Sequence, residues 1–177
     1  MRFDEVLVSI GAVPNVEWLA SSALRVEGGL VCDESLFAAD GVVGAGDVVR
    51  IVDGDGRLRH RIEHWTDSAR QAEVAAANLL SGRENATKFG GLGYVWSDQF
   101  KVRIEVIGDP TAGTVVEDVP GNAEPAGTSW LFRYARGDET VAFVTIAQPK
   151  VALGIRRLAT DPAALSRLRA KDVSLPA

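Results

Sequence analysis

The sequence predicts two consecutive structural units, an α/β unit in the first half of the chain and an α+β unit in the second. The first unit is indicated by a short apolar run that ends in Gly44-Ala45-Gly46-Asp47, and by a long helical pattern after it. The second unit is indicated by strict alternation of charged and apolar residues over Lys101–Val106, which is typical of an antiparallel strand.

Three short patterns precede the Gly-Asp stretch. Val6–Ile10 is a nearly continuous apolar run, which predicts a strand covered on both faces. Gly11–Asn15 reads as a turn, and Asn15 is well placed to cap a short helix over residues 16–23. Gly28-Gly29 then predicts the turn of a small hairpin.

The stretch 41–49 favours a buried strand that delivers Asp47 to the carboxyl edge of a sheet, where α/β proteins bind ligands. The small residues before Asp47, Gly46 among them, let the backbone approach a large flat group. The Asp47 carboxylate can accept hydrogen bonds from hydroxyl groups such as those of a sugar alcohol. A strand followed by an Asp-led surface turn explains these nine residues equally well.

The longest predicted helix runs from Glu63 to Leu80 and ends before Gly82, a residue suited to stopping a helix. Apolar residues recur along it at helical spacing and define the face expected to pack: Trp65, Ala69, Ala72, Ala76 and Leu79. Between Arg83 and Gly93 the pattern dissolves into polar and glycine-rich residues, so we expect a domain boundary there.

The second half contains strand signals followed by helix signals. The strand at Lys101–Val106 is expected to turn its charged residues outward and its apolar residues inward. Further strands are predicted at 114–118, 129–136 and 140–147, the last two forming a hairpin that turns at Gly137-Asp138. Pro149 and Pro162 each open a helix, reaching about residues 159 and 171.

Composition limits the class of protein. The 177 residues are 46% hydrophobic, enough for one or two domains with a real core, and the net charge of -5 argues against general nucleic-acid binding. A single cysteine, Cys32, excludes an internal disulfide and suits a reducing cytoplasm. No apolar run approaches the ~20 residues that span a bilayer. With two histidines and one cysteine, we expect no protein zinc site.

Four passages together resemble one family: Ile10–Asn15, Ala45–Val48, Glu63–Trp65 and Val95–Phe100. In this order and spacing they resemble the C-terminal part of FAD-dependent NAD(P)H:ferredoxin reductases, which supply electrons to the ferredoxins of Rieske dioxygenases and bacterial cytochromes P450. The resemblance covers essentially the whole chain, and the Trp-Ser-Asp-Gln passage is its most specific part.

The resemblance implies an α/β remnant of the FAD domain of a two-dinucleotide-binding flavoprotein, followed by a small α+β reductase C-terminal domain. Residues 1–87 would be the C-terminal half of the FAD domain, with the last strand of the NAD-binding domain at 1–12. Residues 88–177 would be the C-terminal domain, an antiparallel sheet followed by helices, which in relatives of this fold can support contacts in a homodimer.

The resemblance also assigns a cofactor site for FAD. Asp47 would hydrogen-bond the ribityl chain of FAD, with Gly46 allowing close approach, while the helix that starts at Glu63 would direct its backbone N–H groups at the flavin. Glu63 and His64 would both belong to the cofactor site, with Glu63 near the nicotinamide of NAD(P)H. Trp65 and Trp96 would lie beside the isoalloxazine ring, and Trp96 would also be near the surface where a [2Fe–2S] ferredoxin docks.

Two of these residues have simpler interpretations without the family. Trp65 lies on an apolar helix stripe and would then be a core residue, and His64 would be a surface or capping histidine. Because hydride transfer to a flavin requires proximity and stacking rather than a general base, no residue is expected to be catalytic and His64 has no proton-transfer role.

Both Gly-x-Gly-x-x-Gly fingerprints of such reductases are missing from this sequence. We therefore expect the last, truncated portion of a reductase that on its own holds FAD weakly or not at all and oxidises no NAD(P)H. The alternative is a non-catalytic module that acts in dimerisation or partner binding.

Overall fold

The computed structural model describes residues 3–9, 11–59, 61, 63–120 and 128–173. Four short strands and one long helix come first: β1 Leu30–Cys32, β2 Phe37–Ala39, β3 Val42–Val43, β4 Val49–Ile51 and α1 Trp65–Ser81. Five longer strands follow: β5 Tyr94–Gln99, β6 Val102–Gly108, β7 Thr114–Pro120, β8 Trp130–Arg136 and β9 Glu139–Ile146. Three helices close the fold: α2 Pro149–Leu158, α3 Pro162–Arg167 and α4 Ala170–Val173.

The strand predicted at Val6–Ile10 is wrong for its described part. Residues 3–9 lie in no strand, the Leu7 side chain is 94% exposed, and Ile10 lies outside the described residues. An apolar run becomes a strand only beside a partner, and none of the described strands pairs with this segment.

The short helix predicted over residues 16–23 is wrong as well. A single 3-10 turn, Glu17–Leu19, takes its place, and of its residues only Leu19 is buried. Asn15 does not cap the turn with its side chain, since the capping position belongs to Val16 and no side chain bonds there. One buried residue offers too little apolar contact to hold a longer helix.

The hairpin predicted at Gly28-Gly29 is reduced to its turn. Both glycines have positive φ, but only one bridge, Val26 to Leu30, joins the two arms. The strand that follows, β1, instead pairs in parallel with β4, and both strands lie in the core of the first unit.

Asp47 does not end a buried strand. Strand β3 is two residues long, pairs with β2 in an antiparallel hairpin and is half-exposed. Asp47 is exposed in the turn between β3 and β4, so the surface-turn interpretation describes this stretch better. Gly44 and Gly46 shape that turn: a Cβ on Gly44 would lie 2.8 Å from the Cys32 Sγ, and Gly46 has a φ of +87°.

Helix α1 is confirmed, and Gly82 follows it with a φ of +81°, but the predicted packing face is wrong. The apolar stripe that begins at Trp65 and ends at Leu79 is exposed, with 72% of Trp65 accessible to solvent. The buried residues of α1 are mostly polar: Asp67, Gln71, Ala75 and Asn78.

Hydrogen bonding explains this inversion. Gln71 Oε1 accepts a hydrogen bond from the Gly46 N–H at 2.8 Å. Asn78 Nδ2 donates to the carbonyls of Ser35 and Thr87, both at 2.8 Å, and Asn78 Oδ1 accepts from the Thr87 N–H at 2.9 Å. Irregular segments bury backbone groups that lack strand partners, and side chains of α1 supply those partners.

The second half is an antiparallel sheet of order β5-β6-β9-β8-β7. The strands predicted at 114–118, 129–136 and 140–147 are confirmed, as are the turn at Gly137-Asp138 and the helix opened by Pro149. The second predicted helix is interrupted at Leu168, where the backbone becomes extended, and gives α3 and α4.

The prediction that charged residues of the 101–106 strand point outward is wrong at Glu105, which is 4% exposed. Glu105 shares its sheet face with Ile107, two residues further along β6, and Ile107 belongs to the core formed with α2. Strand β5, which the sequence pattern did not reveal, pairs with the edge of β6 that faces away from β9.

Among the described residues, the apolar core consists of two clusters that share no residue. The first is built from 16–89 around β1, β4 and α1, and Leu36 is its most enclosed residue. The second is built from 92–173, where Ile107 and Phe143 of the sheet pack against Ile155 of α2.

Replacing Asn78 by alanine should lower the free energy of unfolding by about 1–3 kcal/mol for each buried backbone group left without a partner. Chemical denaturation with urea measures this change. Ala76→Ser, on the exposed face of the same helix, is the matched control and should stay within about 0.5 kcal/mol of the parent chain. Equal stability of the Asn78→Ala chain would contradict the role of the polar face.

Burial raises the pKa of the Cys32 thiol from 9.0 to about 11, and the neighbouring Asp33 carboxylate adds to this effect. We therefore expect Cys32 to react slowly with a disulfide reagent at pH 8 unless the chain is denatured. Because the folded-state pKa lies above the unfolded value, the stability linked to this thiol is present below pH 9 and is lost as the pH rises towards about 11.

Denaturation curves at pH 8 and pH 11 test the second expectation. Cys32→Ala should show a smaller loss of stability over this interval than the parent chain. Rapid labelling of the folded parent chain at pH 8 would contradict the raised pKa.

Candidate functional site

Arg61 joins three of the four passages that carry the family resemblance. Its Nη1 donates to the Asp47 carbonyl at 3.2 Å, its Nη2 donates to the Ala12 carbonyl at 3.0 Å, and its guanidinium forms an ion pair with Glu63. A guanidinium carries five donors in a fixed plane, so one side chain can hold three separate segments. No sequence signal marks Arg61, since its partners lie up to 49 positions away.

Asp47 and the first turns of α1 are joined by Ser68. The Ser68 hydroxyl lies 3.0 Å from the Asp47 Oδ1 and also 3.0 Å from the His64 carbonyl, and it has one proton to donate. The second oxygen of the Asp47 carboxylate has no partner among the described residues. Around Gly46 the surface is open, since a Cβ there would meet no atom nearer than the Ser68 Oγ at 3.8 Å.

The start of α1 offers backbone donors. His64 occupies the capping position, and no side chain there accepts from the N–H groups of the first turn. These groups and the positive end of the helix dipole suit an electron-rich edge of a ligand. The buried carboxylate of Asp67, in the same turn, offsets part of that positive potential.

Two tryptophans from distant parts of the chain meet beside this helix start. The ring centroids of Trp65 and Trp96 are 6.1 Å apart with an interplanar angle of 72°, an edge-on contact. Asp67 and Thr66 attach α1 to strand β5: the Tyr94 N–H donates to the Asp67 carboxylate at 3.4 Å, and the Thr66 hydroxyl donates to the Tyr94 carbonyl at 3.2 Å. Because 72% of Trp65 is exposed to solvent, the interpretation of Trp65 as a core residue is wrong.

His64 and Arg61 both line a cavity of about 750 Å³, which Gly93 and Thr111 also border. Gly46, Asp47, Glu63, Trp65 and Trp96 are thus brought around the helix start, while the His64 side chain borders the neighbouring cavity.

Neither a metal centre nor a membrane segment is found in the part of the chain that the structure describes. No group of three or more His, Cys, Asp and Glu side chains is arranged to hold a metal ion there. None of the helices described above has the length and apolar composition needed to cross a bilayer.

Residues 94–176 match the family model described as "Reductase C-terminal". The five-stranded sheet and the helices after it therefore match a reductase C-terminal domain.

Similar proteins extend the match to nearly the whole chain. The ferredoxin--NAD(+) reductase component of the anthranilate 1,2-dioxygenase system of Burkholderia cepacia is 38% identical over 120 residues, which are 66% of this chain and 29% of that protein. Rhodocoxin reductase of Rhodococcus erythropolis is 28% identical over 171 residues, 96% of this chain and 38% of that protein. The chain thus spans well under half the length of these relatives.

A solved structure gives the same result for the fold. The ferredoxin reductase for the CYP199A2 system of Rhodopseudomonas palustris superposes with a TM-score of 0.75 at 22% identity, covering 94% of this chain and 40% of that one. The resemblance drawn from the sequence is confirmed: this chain matches the C-terminal portion of the FAD-dependent NAD(P)H:ferredoxin reductase family.

Proposed function

We propose that this chain supplies half of the FAD site and the C-terminal domain of a flavoprotein reductase. The reductase passes electrons from NAD(P)H through FAD to a [2Fe–2S] ferredoxin that serves an oxygenase or a cytochrome P450. The observation that carries this proposal is the convergence of the four passages on one helix start, through the Arg61 guanidinium and the Trp65–Trp96 contact. FAD and NAD(P)H are the cofactors of the family that the chain matches.

The residues around the helix start fit a flavin. The unpartnered oxygen of the exposed Asp47 can accept from a ribityl hydroxyl, and the open surface at Gly46 leaves room for the chain of the cofactor. The uncapped N–H groups of α1 can donate to the pyrimidine edge, where negative charge collects on reduction. Trp65 and Trp96 present aromatic surface for the ring. Glu63, which Arg61 holds in an ion pair, would lie near the nicotinamide.

The same proposal includes the domain boundary at residues 87–88, with the preceding residues belonging to the FAD domain and residues 1–12 to the NAD-binding domain. The two separate apolar clusters support a boundary in this region. Phe89 belongs to the first cluster and Leu92 packs against the second, so the cores divide slightly beyond residue 88.

In a reductase that contains this chain, Asp47→Ala should weaken FAD binding, since a hydrogen bond to a charged group is worth about 1.5–3 kcal/mol. Titration of the apoprotein with FAD measures the change, which corresponds to roughly a tenfold to hundredfold higher Kd. Asp55→Ala, in the exposed loop between residues 53 and 56, is the matched control and should bind FAD normally. Unchanged affinity in the Asp47 variant would remove Asp47 from the site.

The second candidate function is a non-catalytic module that acts through dimerisation. The far end of α1 favours it, because Leu79 and Leu80 expose apolar surface of a kind that soluble proteins normally cover. Val6, Leu7 and Val8 add further exposed apolar surface. Both functions are compatible in one protein, since a domain that completes a flavin site can also contact a second copy.

The chain alone should self-associate through α1 and should oxidise no NAD(P)H. Sedimentation velocity over a concentration series should show dimers or larger species, and Leu79→Glu with Leu80→Glu should shift them towards the monomer. The matched control is Leu153→Glu with Leu158→Glu, at two similarly exposed leucines of α2, and it should leave the association unchanged. A parent chain that stays monomeric at high concentration would exclude this second function.

A further inference from the structure

The ring of Trp96 lies between two other aromatic rings. Tyr94, two positions earlier on β5, stacks on it with centroids 5.5 Å apart and an interplanar angle of 29°. Trp65, the first residue of helix α1, contacts the Trp96 ring edge-on. Residues i and i+2 of a strand share one face, which brings Tyr94 and Trp96 side by side.

Tyr94 is itself held from two sides. Its hydroxyl donates to the Glu105 Oε1 at 2.9 Å, and the Arg156 guanidinium of α2 lies 3.9 Å from the centre of its ring. Glu105 is the cross-strand partner of Trp96. The pairing of β5 with β6 therefore fixes how far the Glu105 carboxylate lies from the stacked rings of Tyr94 and Trp96. We propose that Tyr94 is a positioning residue, which Glu105 and Arg156 clamp so that the Trp96 ring has one fixed orientation.

The composition of this sheet face favours the proposal over simple core packing. Glu105 is buried, and its second oxygen has no partner among the described residues. Its neighbour across the β6–β9 ladder, Thr145, also has a buried hydroxyl without a partner there. A buried carboxylate with one unmade bond is costly, and an apolar side chain beneath α2 would avoid that cost. The bond that Glu105 does make is the one that fixes the Tyr94 hydroxyl.

Burial and the hydrogen bond to Glu105 both raise the pKa of Tyr94, with burial the larger cause. The phenol therefore stays protonated near neutral pH and remains a donor to the carboxylate. The cation of Arg156 over the ring adds an electrostatic attraction to the negative ring face.

A fixed ring matters for the proposed function, on which this inference rests. If Trp96 forms part of the surface that contacts ferredoxin, a ring already held in place loses less rotational freedom on binding. Releasing the clamp should raise the KM for ferredoxin about two- to tenfold, the range expected for ordering one side chain.

The mobility of Trp96 can be measured in the chain itself. Replacing Trp18, Trp65 and Trp130 by phenylalanine leaves Trp96 as the one indole of the sequence and keeps an aromatic edge at position 65. Time-resolved fluorescence anisotropy should then show a larger fast component in the Tyr94→Leu chain. Tyr94→Phe should give an intermediate value, because it keeps the stack but loses the hydrogen bond to Glu105. Tyr134→Leu, on strand β8, is the control and should not change the signal.

A second variant tests the proposal if the Tyr94→Leu chain does not fold. Arg156 is exposed, so Arg156→Gln should fold normally and still loosen Trp96. Unchanged anisotropy in Tyr94→Leu, or in Arg156→Gln if the first variant does not fold, would overturn the proposal.

A functional measurement separates this inference from the proposed function. In a reductase that contains the chain, Tyr94→Leu should raise the KM for ferredoxin. The rate of ferricyanide reduction by the same variant serves as the reference and should not change. If Trp96→Ala does not affect ferredoxin reduction, the proposed role of Trp96 is wrong, while the anisotropy result still decides whether Tyr94 positions it. If Trp96→Ala impairs ferredoxin reduction and the Tyr94 variants do not, the positioning role is wrong.

Discussion

The polar inner face of α1 is the constraint on which the first unit depends. Strand pairing there is slight, with three paired positions between β1 and β4 and two between β2 and β3. Gln71 and Asn78 compensate by bonding backbone groups of the Gly-Asp turn, the segment before β2 and the segment after α1. Since side chains of one helix hold several irregular segments, hydrogen bonds add to the apolar packing of Ala75 in fixing the orientation of α1.

This orientation determines the candidate site. Turning the polar residues inward turns Trp65 and the alanine stripe outward, beside the uncapped start of the helix. Gln71 of the same helix accepts a hydrogen bond from the Gly46 N–H. Asp67 accepts one from the N–H of Tyr94 in strand β5, the strand that also carries Trp96. The groups of the proposed site are therefore held by buried side chains of α1, Gln71 and Asp67, as expected for a site whose geometry must be preserved.

The sequence predicted those elements whose own residues carry the signal. Strand alternation, the turn at Gly137-Asp138, the prolines that open helices and the length of α1 are local features, and the structure agrees with them. The packing face of α1 was predicted wrongly because periodicity assumes that apolar residues are buried, whereas here unpaired backbone groups required polar ones. The predictions for Val6–Ile10 and Glu105 were wrong for a related reason, since the exposure of these residues depends on neighbours distant in sequence. Arg61 could not be found from spacing, and the candidate site residues were proposed from the family resemblance rather than from periodicity.

The central claim is that a flavin is held by the surface around Asp47 and the start of α1. The most direct measurement is an NMR titration of the ¹⁵N-labelled chain with millimolar FAD, which detects binding too weak for retention of the cofactor. We predict shift changes at the amides of Gly46 and Asp47, in the first turn of α1, and at the indole N–H groups of Trp65 and Trp96. Shift changes confined to α2–α4, with none at the Asp47 surface or the start of α1, would contradict the account.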